Sequence, residues 1–243
     1  MTDRTIIVTG GNGGIGVAIG AAFLNENPRN FVWLATHNRQ ERAERLASEN
    51  EGRCRLLTLD VTRPDSWDAA ISLVMSTQGR IDVLVNNAGT HNDQLLGTMT
   101  PDAWRSVIDT NLHGTFLGCR AVLPSMIGRR AGRIINISSL SALLAPPGQT
   151  NYAAAKAGVV ALTSSLAKEV ARLGITVNAV CPGYVETDAL SGMGPEELRA
   201  ITQRIPMRRL GQPREIAALV LFLACPDAAY LTGSAIKMDG GIF

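Results

Sequence analysis

The chain has 243 residues, which suits one large α/β domain or two small ones. Hydrophobic residues make up 46% and charged residues 18%, enough to fill a sizeable core and unlike a disordered chain. A net charge of +2 with 5% aromatics argues against a dedicated nucleic-acid surface. Cys54, Cys119, Cys181 and Cys225 show no CxxC spacing, and His37, His91 and His113 are scattered, so no metal site or disulfide framework is indicated. The first apolar run, residues 5–9, is too short for a signal peptide, and the longest, 217–225, is too short to span a bilayer. A cytoplasmic protein without membrane or nucleic-acid partners is expected.

Short apolar runs alternate with helical patterns. Strands are expected at 6–8, 31–34, 56–59, 81–85, 133–137, 175–180 and 234–238. Between them, helices are expected at 14–24, 40–50, 64–77, 101–127, 152–173 and 215–223. Strands that are apolar throughout, separated by helices, imply a parallel sheet covered on both faces. The crossovers should be right-handed. No linker or solenoid repeat interrupts the pattern. The expected fold is α/β: one doubly wound parallel-sheet domain over 1–243, with about seven strands and helices on both faces. Segment 188–207, with Gly192, Gly194, Pro195 and Pro206, reads as irregular. It falls where open α/β sheets bind ligands, beyond the carboxyl ends of the strands, and is a candidate substrate lid.

Thr9-Gly10-Gly11-Asn12-Gly13-Gly14-Ile15-Gly16 joins the first strand to the first helix. Such a turn lets a phosphate approach the backbone and the free N–H groups of a helix N-terminus. A tight turn with no ligand is the plainer alternative. Tyr152 and Lys156 are four apart on a helix and so share a face. A phenol tuned by a nearby ammonium can give or take a proton.

Gly10, Gly14 and Gly16 fit T-G-x-x-x-G-x-G rather than G-x-G-x-x-G. Asn86-Asn87-Ala88-Gly89 follows the fourth strand, Asn111 lies mid-helix, and Ser138-Ser139 ends the fifth strand. Tyr152 and Lys156 form Y-x-x-x-K, Pro182-Gly183 with Thr187 forms P-G-x-x-x-T, and Asp239-Gly240-Gly241 closes the chain. In this order, over the whole length, the chain resembles the short-chain dehydrogenase/reductase family and its Rossmann-like fold. The resemblance implies a catalytic set of Asn111, Ser139, Tyr152 and Lys156. Tyr152 would protonate a carbonyl oxygen, and Ser139, thirteen positions before it, would hydrogen-bond that oxygen. Lys156 would depress the tyrosine pKa and bind the nicotinamide ribose, and Asn111 would hold a water linked to Lys156. The cofactor contacts it implies are Gly10, Asn12, Gly14, Ile15, Gly16, Arg39, Asp60, Val61, Asn87, Ala88, Gly89, Tyr152, Lys156, Pro182, Gly183, Val185 and Thr187.

An acid at the end of the second strand would favour NAD. Here that strand ends Ala35-Thr36-His37-Asn38-Arg39, with Arg42 near, so NADPH/NADP+ is the expected cofactor and NADH the alternative. One position departs from many NADP-using members: Gly13 stands where they carry Arg.

Within the family, the stretches 148–152, 178–188 and 109–112 are similar to 3-oxoacyl-acyl-carrier-protein reductases and acetoacetyl-CoA reductases. The implied activity is reduction of a 3-oxoacyl thioester, bound to acyl carrier protein or CoA. A dehydrogenase of a free alcohol, sugar or steroid is the rival, and a non-catalytic cofactor-binding regulator a more distant one. Arg129 and Arg130 match a basic site for an acidic carrier protein, expected beside the active-site mouth. At the second such site Leu173 stands with Arg172 one position earlier, and Arg208 and Arg209 lie near the lid. A homotetramer through the two long helices and the last strand is the family's usual assembly.

Overall fold

The computed structural model describes residues 3–38 and 40–243. Seven parallel strands form one sheet in the order β3-β2-β1-β4-β5-β6-β7: β1 (Thr5–Thr9), β2 (Phe31–Thr36), β3 (Cys54–Thr58), β4 (Val83–Asn86), β5 (Gly132–Ile137), β6 (Ile175–Pro182) and β7 (Ala235–Met238). The order reverses between β1 and β4. A crevice opens there, at the carboxyl ends, as in other doubly wound sheets.

The apolar character of the strands follows from burial on both faces. Ile6, Val8, Val32 and Leu34 pack against Ile19 and Phe23 of helix α1 (Gly14–Glu26), Leu46 of α2 (Glu41–Ser48) and Val220 of α9 (Pro213–Ala224). Alternate residues Ile7, Trp33 and Ile134 face the other layer. They meet Trp67 of α3 (Pro64–Gln78), Val122 and Met126 of α5 (Gly114–Arg129) and Val170 of α7 (Thr150–Val170). No helix among the described residues is long and apolar enough to cross a membrane.

Several boundaries differ from the sequence-based expectation, and the short helix α6 (Ser141–Leu144) lies outside it. Strand β3 begins two residues earlier than expected, because Cys54 enters the ladder opposite Val32. Strand β4 starts at Val83 rather than 81, since Asp82 spends its carboxylate on the Thr5 amide. The expected 101–127 helix is α4 (Pro101–Ile108), a π turn (Asp109–His113) and α5 in continuous succession. Segment 188–207 is not irregular throughout. It holds a 3-10 turn (Asp188–Leu190) and helix α8 (Pro195–Arg204). Gly194 precedes Pro195 at the first helical position, and Glu196 and Glu197 fill the first turn, which is ordinary helix-start chemistry.

A buried polar chain joins the long helices to the sheet. Asn86 Nδ2 donates to Asn136 Oδ1 (2.9 Å), and Asn136 Nδ2 donates to Thr163 Oγ1 (2.9 Å). All three residues are buried. Thr163→Val strips Asn136 Nδ2 of its acceptor, and an unsatisfied buried amide costs about 1–3 kcal/mol. Urea unfolding should register that loss; a change under ~0.5 kcal/mol would mean that the amide finds another partner.

Candidate active site

The glycine turn and the Asn86-Asn87-Ala88-Gly89 stretch are built as one piece. Thr9 Oγ1 accepts from the amides of Asn87 and Ala88, both at 2.9 Å. Asn87 Nδ2 returns bonds to Thr9 O (2.9 Å) and Gly10 O (3.2 Å). Gly10 sits at φ +63°, and a Cβ there would stand 2.9 Å from Ala88 Cα, so only glycine fits without distortion. Gly16 is buried beneath the turn against Gly10 O. Asn12 Oδ1 caps α2 by accepting from Arg42 N (2.8 Å) and Ala43 N (3.1 Å). Asn12 and Asn87 therefore shape the turn with their side chains, a role the sequence did not separate from cofactor contact.

Three adjoining cavities run along the carboxyl edge of the sheet. The first is lined by Gly10, Ala88, Gly89, Asp60 and Val61. The second is lined by Gly10, Asn12, Gly14, Ile15, Asn87 and Thr187. The third, about 280 Å³, is lined by Ser139, Tyr152, Lys156, Pro182, Gly183, Val185 and Thr187. Gly89 borders all three. Every expected cofactor position lines this cleft except Gly16, which lies beneath it, and Arg39, which lies outside the described residues.

Asp60 accepts from Thr62 N (3.0 Å) and Thr62 Oγ1 (2.7 Å), with His37 Nε2 at 3.9 Å. Burial pushes its carboxyl up, but the Thr62 bonds and the charges of His37 and Arg63 outweigh that and leave its pKa lowered. It stays ionised at neutral pH and can accept hydrogen bonds at this end of the cleft.

At the far end, Ser139, Tyr152 and Lys156 meet in the third cavity. Strand β5 delivers Ser138 and Ser139 at its end, and α7 delivers the other two from one face. The two serines divide the work. Ser138, buried, donates from Oγ to Lys156 O (2.9 Å) and fixes α7 to the strand end. Ser139 Oγ accepts from Ser141 N (3.1 Å), which leaves its own proton for a partner in the cavity.

Lys156 is buried, and its Nζ donates to Ile137 O (2.9 Å). Burial lowers its pKa from 10.5 to about 8. Nζ stands 5.6 Å from the centre of the Tyr152 ring. Burial raises the Tyr152 pKa; a hydrogen bond with Ser139 opposes this, and the charge of Asp93 adds to it. The sequence pointed to Lys156 as the group that lowers the tyrosine pKa. In the chain itself burial dominates, and the phenol is held protonated at neutral pH.

Asn111 occupies the π turn between α4 and α5, a widened turn of the kind that recurs at functional sites. Its Nδ2 donates to Thr90 O (2.7 Å) and Val107 O (2.8 Å). Its Oδ1 is buried without a protein partner. A Cβ at Gly89 would lie 2.7 Å from this oxygen and 3.5 Å from Lys156 Nζ, so Gly89 leaves both polar atoms room that a side chain would take. Sequence reasoning missed the chain that steadies Ser139. Gln149 Nε2 donates to Asp93 Oδ2 (2.7 Å), and Ser141 Oγ donates to Gln149 Oε1 (2.8 Å). Only Gln149's place at the start of α7 could have marked it.

The expected basic site does not flank the mouth. Arg129 and Arg130 precede β5 while Ser139 follows it, so they lie at opposite edges of the sheet. Arg129 Nη2 pairs with Asp82 Oδ1 (2.8 Å), which Arg80 also holds (2.5 Å). Arg130 Nη2 donates to Arg172 O (2.9 Å). Near the candidate lid, Arg209 is held by Glu215 in a two-pronged pair (2.6 and 2.7 Å).

A family model described as Enoyl-(Acyl carrier protein) reductase matches residues 10–242. The chain is 44% identical over 245 residues to the 3-oxoacyl-[acyl-carrier-protein] reductase FabG of Vibrio harveyi, covering 100% of this chain and 98% of the relative. It is 42% identical over 246 residues to the 3-oxoacyl-[acyl-carrier-protein] reductase of Synechocystis sp., with the same coverage of both. The FabG reductase of Thermotoga maritima is 40% identical over 245 residues, again with 100% and 98% covered. This chain belongs to the short-chain dehydrogenase/reductase family, whose members bind a nicotinamide cofactor.

Proposed function

We propose that this chain reduces a 3-oxoacyl thioester, carried on acyl carrier protein or CoA, to the 3-hydroxyacyl thioester with NADPH. The observation that carries this reading is the convergence of the Ser139 and Tyr152 hydroxyls on one cavity, with the buried Lys156 ammonium behind them. Two donors aimed at one point suit a carbonyl oxygen on which negative charge develops. The names of the full-length relatives supply the substrate class.

A nicotinamide cofactor fits the cleft: glycines open its floor, and Asp60 waits ionised at one end. Gly10, Gly14 and Ile15 would meet its phosphates, Asp60 and Val61 its adenine, and Val185 and Thr187 its carboxamide. When bound, it supplies the hydride to the substrate's carbonyl carbon. Tyr152 Oη gives its proton to the carbonyl oxygen, and Ser139 Oγ donates a hydrogen bond to that oxygen. Lys156 Nζ, already committed to Ile137 O by one proton, has others for the ribose hydroxyls and stabilises the phenolate left behind. The unpartnered Asn111 Oδ1 can take a water on the route by which a proton returns.

Assembly as a homotetramer belongs to the same reading. Trp104 and Phe116 on α4 and α5, and Phe243 beside β7, stand exposed on the faces that would be joined. Residues 188–207 form the lid over the third cavity, to which Leu190 contributes.

Acetoacetyl-CoA and a carrier-bound 3-oxoacyl substrate should both oxidise NADPH faster than NADH. Arg39→Ala should weaken NADPH much more than NADH; equal losses would reject the 2′-phosphate reading. No turnover of either thioester, with turnover of a free ketone, would reject the substrate class.

A further inference from the structure

Arg42 reaches across the cofactor cleft to the start of the candidate lid. Its backbone is anchored at the glycine turn through Asn12 Oδ1 (2.8 Å). Its guanidinium grips Asp188 with both prongs, Nη1 to Oδ2 at 2.6 Å and Nη2 to Oδ1 at 2.7 Å. The partners are 146 residues apart in the chain. Asp188 lines the same cavity as Gly14 and His37, and its neighbour Thr187 lies close enough that a Cβ on Gly14 would be 3.4 Å from Thr187 Cγ2. The carboxylate thus lies against a cation of the helix that follows β2, the region where an acid or a cation sets the choice between a ribose 2′-hydroxyl and a 2′-phosphate.

We propose that Asp188 is a specificity-determining residue: its carboxylate competes with the 2′-phosphate of NADPH for the Arg42 guanidinium, so it restrains the preference for NADPH. The inference rests on the proposed use of NADPH. A guanidinium fork accepts carboxylate or phosphate with the same geometry, and one fork cannot serve both at full strength. NADH has only a hydroxyl at that position and leaves the pair closed. NADPH exchanges one anion for another at the Arg42 fork. The structural alternative is an ordinary solvated ion pair that fastens two loops, since both side chains are largely exposed.

The experiment is a direct titration of NADPH and NADH, followed by fluorescence, on the full-length wild type, Asp188→Asn, Arg42→Ala and the double variant. Asp188→Asn should tighten NADPH about threefold to fivefold more than NADH, the range of an exposed pair. The gain should vanish when Arg42 is already alanine, which is the coupling a double-mutant cycle isolates. An unchanged ratio in Asp188→Asn, beside a wild-type preference for NADPH that Arg42→Ala lowers, overturns this proposal alone. A selective loss of NADH in Asp188→Asn overturns it too, because the carboxylate would then serve the ribose hydroxyl. Equal wild-type affinities that Arg42→Ala leaves equal overturn the NADPH reading and this proposal with it.

Discussion

Tyr152→Phe should lower turnover about a thousandfold while cofactor binding and thermal stability stay close to wild type. The substitution removes one oxygen from a ring that lines the third cavity. Ser139 loses a partner, but its bond from Ser141 N remains. What disappears is the proton donor. General acid catalysis of this kind contributes about 10²–10⁴-fold. Ser139 alone can still polarise the carbonyl, so a residue of activity should survive. The raised pKa of the phenol, caused first by burial, keeps the donor loaded through neutral pH, so the loss should be much the same from pH 6 to 8. A variant retaining a tenth of the wild-type rate would show that water or another group supplies the proton.

The fold was legible because its signal is repetitive. Buried parallel strands such as Ile6-Ile7-Val8 are apolar at every position, and strands alternate with helices along the chain, although the edge strands β3 and β7 carry exposed positions. The site was legible where chemistry restricts the residue type, as at Gly10, whose φ excludes a side chain, and at Tyr152 and Lys156, one helical turn apart. Four features were not legible, each for a physical reason. The π turn at Asn111 has one extra residue in the helical path, and no composition rule marks that insertion. Helix α8 hid behind its glycines and proline because those residues also make loops. Arg129 looked like a docking cation, but its charge is answered by Asp82, a partner 47 residues away that spacing cannot reveal. The same limit hid Asp188, whose guanidinium partner comes from another helix.

Lys156→Met should abolish most activity yet leave the protein more stable at pH 7. The folded chain holds this ammonium in a buried site where its pKa falls from 10.5 to about 8. Unfolded, the lysine keeps its proton up to its ordinary pKa. Between about pH 8 and 10.5 the unfolded chain therefore binds more protons, and the lysine's contribution to stability rises with pH. Below about pH 8 the full cost of burying the charge is present, on the order of 3 kcal/mol. Methionine has a similar length and no charge. It gives up one hydrogen bond to Ile137 O, which returns about 1 kcal/mol of the gain. A net gain of about 1–2 kcal/mol corresponds to a few degrees in the melting temperature of a domain this size. The gain should shrink and then reverse as the pH approaches 10, where the wild-type lysine is neutral when folded. In the wild type, kcat/KM for reduction should fall above about pH 8, as the ammonium that stabilises the phenolate is lost. A Lys156→Met protein that melts lower than wild type at pH 7 and matches it at pH 10 would reverse this sign. The buried charge would then be a net stabiliser, compensated by its hydrogen bond to Ile137 O and neighbouring polar groups.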